Sequence, residues 1–298
     1  MTNTLHRLLD VAFRIDSNAV LNDGVAAQTS DSGVAANIKR ALTMLKAQAY
    51  DDRSARFDYA RVRASETYRA MRECTGRVNT FDPGTLPTRQ ERMAFWINLY
   101  NALILDAVIS FDVRDSVTKD LGFFRRAAYR VGGMRFSADD IEHGILRGNR
   151  RHPLFPFPQF SHDDPRLAFS IQPMDVRIHA ALNCASRSCP PILVYDAAHL
   201  DAQLDQAMRA FVNGAAQINS TNGVICISRI FQWYADDFGG REGVIELILR
   251  GWNEELAQAW LEPNHAKVRF EYSRYDWRLN GLDNGYSLFK ISSRHHPQ

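Results

Sequence analysis

A chain of 298 residues can form one large domain or two small ones, and 45% hydrophobic with 23% charged residues is the composition of an ordinary globular protein. A net charge of +2, with no basic block or tail, excludes a dedicated polyanion binder, so no nucleic-acid partner is expected. Four cysteines, Cys74, Cys184, Cys189 and Cys226, are too few for a disulfide scaffold, and the expectation is a soluble cytoplasmic protein with reduced thiols.

The opening MTNTLHRLLDVAFRID lacks a basic segment followed by an unbroken apolar one. It reads instead as an amphipathic helix with Leu5, Leu8, Leu9, Ala12 and Phe13 on one face. No run reaches spanning length free of polar residues, so no membrane span is expected. DGVAAQTSDSGVAAN reads as a loop, a second helix runs from about Ile38 to Ala47, and DYARVRASETYRAMREC is a third, with Tyr59, Val62, Tyr68 and Met71 at helical spacing. NTFDPGTLP breaks the pattern.

The clearest start signal follows. Thr88 and Glu91 form a capping box behind Pro87, opening RQERMAFWINLYNALILDAVI, which is apolar almost all round and marks a buried central helix. Asn98 and Asn101 sit inside it, and a buried amide left unpaired costs about 1–3 kcal/mol, so both need partners. They either tie down loops from within the core or orient a catalytic histidine. YRVGGMRF reads as a hairpin around Gly132-Gly133. Ser137 and Asp140 then open DDIEHGILR, a helix on which the adjacent Glu142 and His143 point in different directions.

RRHPLFPFPQFSHDDP holds too many prolines to be regular throughout. LAFSI reads as a strand, DVRIHAALNC as a strand or short helix, and helix resumes from His199 through Phe211. INSTNGVICIS is a hairpin turning at Asn222-Gly223. Ser228 caps RIFQWYADDF, whose Phe231, Trp233, Tyr234 and Phe238 read as core. REGVIELILRGWNEELAQAWL is one long amphipathic helix, KVRFEYSRYDWRLN a final strand and turn, and SSRHHPQ a disordered tail. The fold class is α+β: a helical region over 1–88, an α+β domain over 89–282 with a mainly antiparallel sheet around the buried helix, and a tail over 283–298.

The chemistry concentrates in Asp175 to Ile192, DVRIHAALNCASRSCPPI, where His179, Cys184 and Cys189 are spaced evenly, with Arg177 just before His179 and Arg187 between the cysteines. A thiolate is a nucleophile whose population rises beside fixed cations. The segments FWINLYNALI, FSADDIEHGILR, DVRIHAALNCASRSCPPI, ISRIFQWYADDFG and YDWRLN, in that order, resemble the domain-of-unknown-function family numbered 547, over about residues 89–280. That family has no settled activity, so the resemblance implies no reaction. A buried helix followed by strands bearing His and Cys also loosely resembles a papain-like or transglutaminase-like core, with a rearranged topology.

Three functions compete. The first is a cysteine-dependent hydrolase or acyltransferase acting on a small-molecule or peptide-like ligand, with no cofactor. Cys184 is the preferred nucleophile, because Ala185 to Ser188 can present amides and a cation to it; Cys189 is second, since Pro190 and Pro191 remove backbone donors. His179 or His143 would be the base, Glu142 or Asn98 the orienting or oxyanion-stabilising group, and Arg177 and Arg187 would grip a substrate carboxylate. His179 and Cys184 would point apart on one strand, which favours His143. The second function is a zinc site from His179, Cys184 and Cys189 with His143. The third is a non-catalytic scaffold or partner-binding module with its cysteines buried.

Overall fold

The protein is described here from a computed structural model, covering residues 4–24, 33–153, 155, 157–253 and 255–282. The tail expected to be disordered lies outside these residues, as does most of the polar loop after the first helix.

The N-terminal region is helical, as its spacing predicts. Helix α1 (Thr4–Ala12) precedes α2 (Val34–Ala49), which buries Val34, Ile38, Leu42 and Leu45 against α4 and α5. A short antiparallel pair, β1 (Tyr50–Asp51) and β2 (Arg56–Phe57), follows. The third helix of the sequence reading is in fact two, α3 (Tyr59–Arg63) and α4 (Glu66–Arg77). The break falls at Ser65, whose hydroxyl accepts from the amide of Tyr68 at 3.1 Å and starts a new helix.

Helix α5 (Arg89–Ser110) is the centre of the molecule, and its capping box forms as the Thr88–Glu91 spacing predicts. Every residue from Met93 to Ile109 is buried. It is long and apolar enough to cross a membrane, yet that face-all-round hydrophobicity is spent on the core. The short α6 (Phe123–Arg126) leads into the hairpin β3 (Ala128–Val131) and β4 (Met134–Ser137). Gly132 and Gly133 both take positive φ, 54° and 79°, which the tight two-residue turn requires.

Ser137 and Asp140 then cap one another through side chains, with amide-to-oxygen distances of 2.9 and 3.1 Å. The helix they open, Asp140–Leu146, is wound as a π-helix. The Arg147 amide accordingly reaches back five residues to the Glu142 carbonyl at 2.8 Å. LAFSI is not a strand. Asp164 and Pro165 start a 3₁₀ turn, Pro165–Phe169, with the Asp164 carboxylate on the Arg166 amide. Asp175 does the same for Val176–Ala180, placing His179 on a second 3₁₀ turn, packed against α7 (Leu200–Ala215).

The remaining strands form a third sheet: β5 (Gln217–Asn219) pairs antiparallel with β6 (Val224–Ile227) across the Asn222-Gly223 turn. Helix α8 (Arg229–Trp233) is capped by Ser228. The expected long helix is interrupted, as α9 (Gly240–Gly251) and α10 (Glu255–Asn264). Asn213 holds the interruption, donating to the Gly251 carbonyl at 2.6 Å and accepting from the Asn253 amide at 2.9 Å. Strand β7 (Arg269–Tyr272) joins β6 in parallel. The fold is α+β, and among the described residues the strands lie in three small sheets rather than one large one. Two apolar clusters result, one around α5 and one around α7, β6 and α9, and the Cys-bearing loop runs along their seam.

Candidate functional site

At that seam lies a cavity of about 250 Å³. Its wall includes Tyr100 from α5, Asp139, Glu142 and His143 around the π-helix, His179 and both Cys184 and Cys189, with Trp233, Tyr234, Tyr275 and Trp277 completing it. Trp233, Tyr275 and Trp277 pack ring against ring at centroid distances of 4.6 to 5.5 Å. Half of the expected core block is therefore cavity wall: Phe231 and Phe238 are buried, whereas Trp233 and Tyr234 face the space.

The cysteine loop is built by asparagines. Asn101 of α5 accepts from the Asn183 amide at 3.0 Å and donates to the Ala181 carbonyl at 3.1 Å, anchoring the backbone between His179 and Cys184. Asn183 in turn accepts from the Ala185 amide at 2.8 Å and donates to the Pro190 carbonyl at 2.6 Å, closing the loop end to end. Ala185 adopts φ 64°, the left-handed region that a non-glycine residue enters at a cost, here directly between Cys184 and Ser186.

This closure brings the cysteines together. The Cys184 amide donates to the Cys189 sulfur at 3.0 Å. The Cys184 thiol donates to the Ser186 hydroxyl at 3.3 Å, and that hydroxyl donates to Tyr275 at 3.0 Å. The Tyr275 hydroxyl lies 3.3 Å from Cys189 and 3.5 Å from Cys184, so its own proton can end the chain on Cys189. Burial opposes a charge on Cys189. The Cys184 thiol, Tyr275, Ser186 and the Cys184 amide outweigh it and lower the Cys189 thiol to about 7. Cys184 moves the other way: its hydrogen bond to Cys189, then burial, pushes its thiol well up. When the pair gives up one proton, the charge therefore falls on Cys189. The prolines after Cys189 remove no donor that matters, since the amide on its sulfur comes from Cys184.

His179 is buried and its Nε2 meets the Asp237 carboxylate at 2.9 Å. A carboxylate accepts, so Nε2 carries the proton and Nδ1 the lone pair. Burial lowers the affinity of His179 for a second proton despite Asp237. Asp237 is itself opposed by burial but receives His179, Arg147 at 2.6 Å and Arg150 at 3.2 Å, which hold it ionised well below the usual carboxylate range. Tyr234 lies over the His179 ring with centroids 4.0 Å apart. Among the described residues no hydrogen bond joins His179 to either sulfur; they occupy different parts of one wall.

Glu142 and His143, adjacent on the π-helix, both line the cavity, which the wider winding allows. Glu142 accepts from Tyr234 at 2.6 Å and Tyr100 at 3.0 Å. His143 is 3.9 Å from it and is oriented instead by Arg147, whose guanidinium donates to Nδ1 at 3.0 Å. The neutral ring therefore carries its proton on Nε2. One ligand atom each from Asp139, His143 and His152 lie within 4.8 Å of one another, a spacing a metal ion could span. The His143 tautomer speaks against that use, because Nε2 would have to shed its proton first. Burial pushes Asp139 up to about 7, so it too holds a proton near neutrality.

The other sequence expectations fall outside the cavity. Asn98 spends its whole amide on Tyr195, donating to the carbonyl at 2.8 Å and accepting from the amide at 2.9 Å, so it ties down a loop. Arg177 is engaged by Asp175, Asp201 and Asp205 at 2.6 to 2.8 Å and has no fork left for a substrate. Arg187 sits beside the C-terminal segment, its amide on the Arg278 carbonyl at 2.9 Å. Sequence reasoning missed Asp237, Tyr275, Ser186 and Arg147. Asp237 had a visible signal, an acidic residue directly inside an aromatic block; Ser186 lay in the segment read for its amides rather than its hydroxyl, and Tyr275 opened the YDWRLN segment.

No curated protein and no solved structure matches the chain. Residues 84–212, which carry α5, the π-helix and the cysteine loop, match the family model described as protein of unknown function, DUF547, whereas the segments bearing Asp237 and Tyr275 lie beyond the match. The stretch that matches this family model supplies the thiols, His179 and Glu142 to the cavity.

Proposed function

We propose that the cavity is the active site of a cysteine-dependent hydrolase or acyltransferase acting on a small acyl or peptide-like substrate. The observation that carries this reading is the Cys189 sulfur, which receives the Cys184 amide at 3.0 Å in a cavity shared with the His179–Asp237 pair. Such a thiolate is formed by its hydrogen-bond donors and needs no histidine to remove its proton. It attacks an acyl carbon, a thioester forms, and the leaving group departs with a proton from solvent. Water or a second acceptor then attacks the thioester, losing its proton to Nδ1 of His179, while Asp237 stabilises the imidazolium. Cys189 replaces Cys184 as nucleophile because the donor chain ends on it, and His179 takes the base role over His143 because its lone pair is not spent on an arginine.

The test is acylation of the native protein by p-nitrophenyl acetate, followed by intact mass and peptide mapping. A burst of nitrophenolate with one acetyl group on Cys189, lost in Cys189→Ser and slow to clear in His179→Gln, is expected. Native protein that gives no burst, or acetylates only Cys74 or Cys226, sinks the proposal.

A further inference from the structure

Acyl transfer has no use for a second sulfur nucleophile. A single nucleophile needs one sulfur, yet this loop is strained and stapled so that two sulfurs share one tyrosine hydroxyl, at 3.3 and 3.5 Å. A chain of hydrogen bonds runs from the Cys184 thiol through the Ser186 hydroxyl and Tyr275 to the Cys189 sulfur, and the backbone amide of Cys184 itself touches that sulfur. Both residues are part exposed through the cavity, whereas nothing pairs Cys74 or Cys226 with another thiol among the described residues.

We infer that Cys184 and Cys189 form a dithiol/disulfide couple that exchanges with a small organic disulfide bound in the aromatic cavity, a second activity independent of acyl transfer. The Cys189 thiolate attacks one sulfur of the substrate: a Cys189–substrate bond forms, the substrate's own S–S bond breaks, and the first thiolate leaves with the electron pair and takes up a proton. Cys184 then loses its proton to solvent and attacks the Cys189 sulfur. The intramolecular disulfide forms and the second substrate thiol leaves. Two cysteine thiols are oxidised by two electrons, one disulfide is reduced to two thiols, and the protons balance.

The order of attack follows from the pair's own coupling. While Cys189 is a thiolate, its proximity to Cys184, ahead of burial, keeps Cys184 protonated. Conversion of Cys189 to a neutral mixed disulfide removes that influence, so the resolving thiol is released only once there is something to resolve. The cavity, about 250 Å³ and walled by Leu182, Ile230, Trp233 and Trp277, suits a compact, apolar disulfide.

The test uses 2-hydroxyethyl disulfide with the intact, reduced chain. Release of two equivalents of 2-mercaptoethanol and a Cys184–Cys189 cross-linked peptide are expected. Cys184→Ser should stop at a stable 2-mercaptoethanol adduct on Cys189, and Cys189→Ser should react at least ten-fold more slowly. A cross-link involving Cys74 or Cys226, or a Cys184→Ser protein that forms no adduct while folded, overturns the inference. The two activities separate cleanly. Both are read on the wild-type protein: acetylation of Cys189 without cross-linking refutes this couple alone, and cross-linking without acetylation refutes the hydrolase reading alone.

Discussion

Asp237→Asn tests the buried charge network on which the histidine depends. Asp237 and His179 side chains are each 1% exposed and Arg147 is 4% exposed, and all meet at one carboxylate. Asparagine keeps the shape and one acceptor but loses the charge, leaving the Arg147 guanidinium buried without its counter-ion. Breaking a buried pair from one side costs about 3–5 kcal/mol. At about 2 °C per kcal/mol for a chain of this size, the melting temperature at pH 7 should fall by roughly 6–10 °C. The sign with pH is fixed by the direction of the Asp237 shift. Its folded form gives up its proton more readily than a free carboxyl at about 3.9, so the stabilisation is full above that value and fades as pH falls below it. The gap between wild type and Asp237→Asn should therefore be widest near pH 7 and narrow below about pH 4. Urea unfolding at pH 7, 5, 4 and 3 measures it directly. A gap under about 1 kcal/mol at pH 7, against the 3–5 expected of a broken buried pair, would refute the reasoning, as would one that is constant with pH.

Three further substitutions divide the site by cause. Wild-type Cys189 should label with iodoacetamide with a midpoint near pH 7, faster above it as the thiolate forms. Tyr275→Phe removes a donor to that charge, which at about 1.5–3 kcal/mol should raise the midpoint by roughly 1–2 pH units; an unmoved midpoint would deny Tyr275 its role. Asn98→Ala leaves the Tyr195 amide and carbonyl unpaired in the core and should lower stability by about 1–3 kcal/mol in denaturant titration without changing Cys189 labelling. In Gly243→Ala the new Cβ would stand 1.8 Å from the Phe238 carbonyl, a backbone group that cannot swing away. A loss of about 1–3 kcal/mol or more is expected by calorimetry, with slower deacylation, because Phe238 packs on the His179 ring at 5.3 Å.

What was legible in the chain is what neighbouring residues decide. The Thr88–Glu91 box, the Gly132-Gly133 and Asn222-Gly223 turns and the unbroken apolar run of α5 each carry their cause within a few residues, and each forms as read. LAFSI failed because its β-like composition competes with an Asp164-Pro165 start signal just upstream, and the side-chain cap won. The long C-terminal helix failed because Asn213, some forty residues away, satisfies the groups exposed by the break at Gly251. The π-winding of Asp140–Leu146 has no local signature; Glu142 and His143 do turn to different partners, as read, and what the reading did not foresee is that both line one cavity.

The choice between the cysteines shows the same limit at the level of chemistry. Judged by its own neighbours, Cys184 has the amides and Cys189 the prolines. Yet a hydrogen bond acts on whichever atom the folded loop presents, and the loop is folded by Asn101 from another element, Asn183 from its own start and Tyr275 from beyond it. The amides expected to serve a sulfur were those of Ala185 to Ser188; the one that does so is that of Cys184 itself, and its acceptor is Cys189. Spacing can nominate a pair of thiols, but the identity of the charged one is set by three contacts made across 174 residues of chain, from Asn101 to Tyr275.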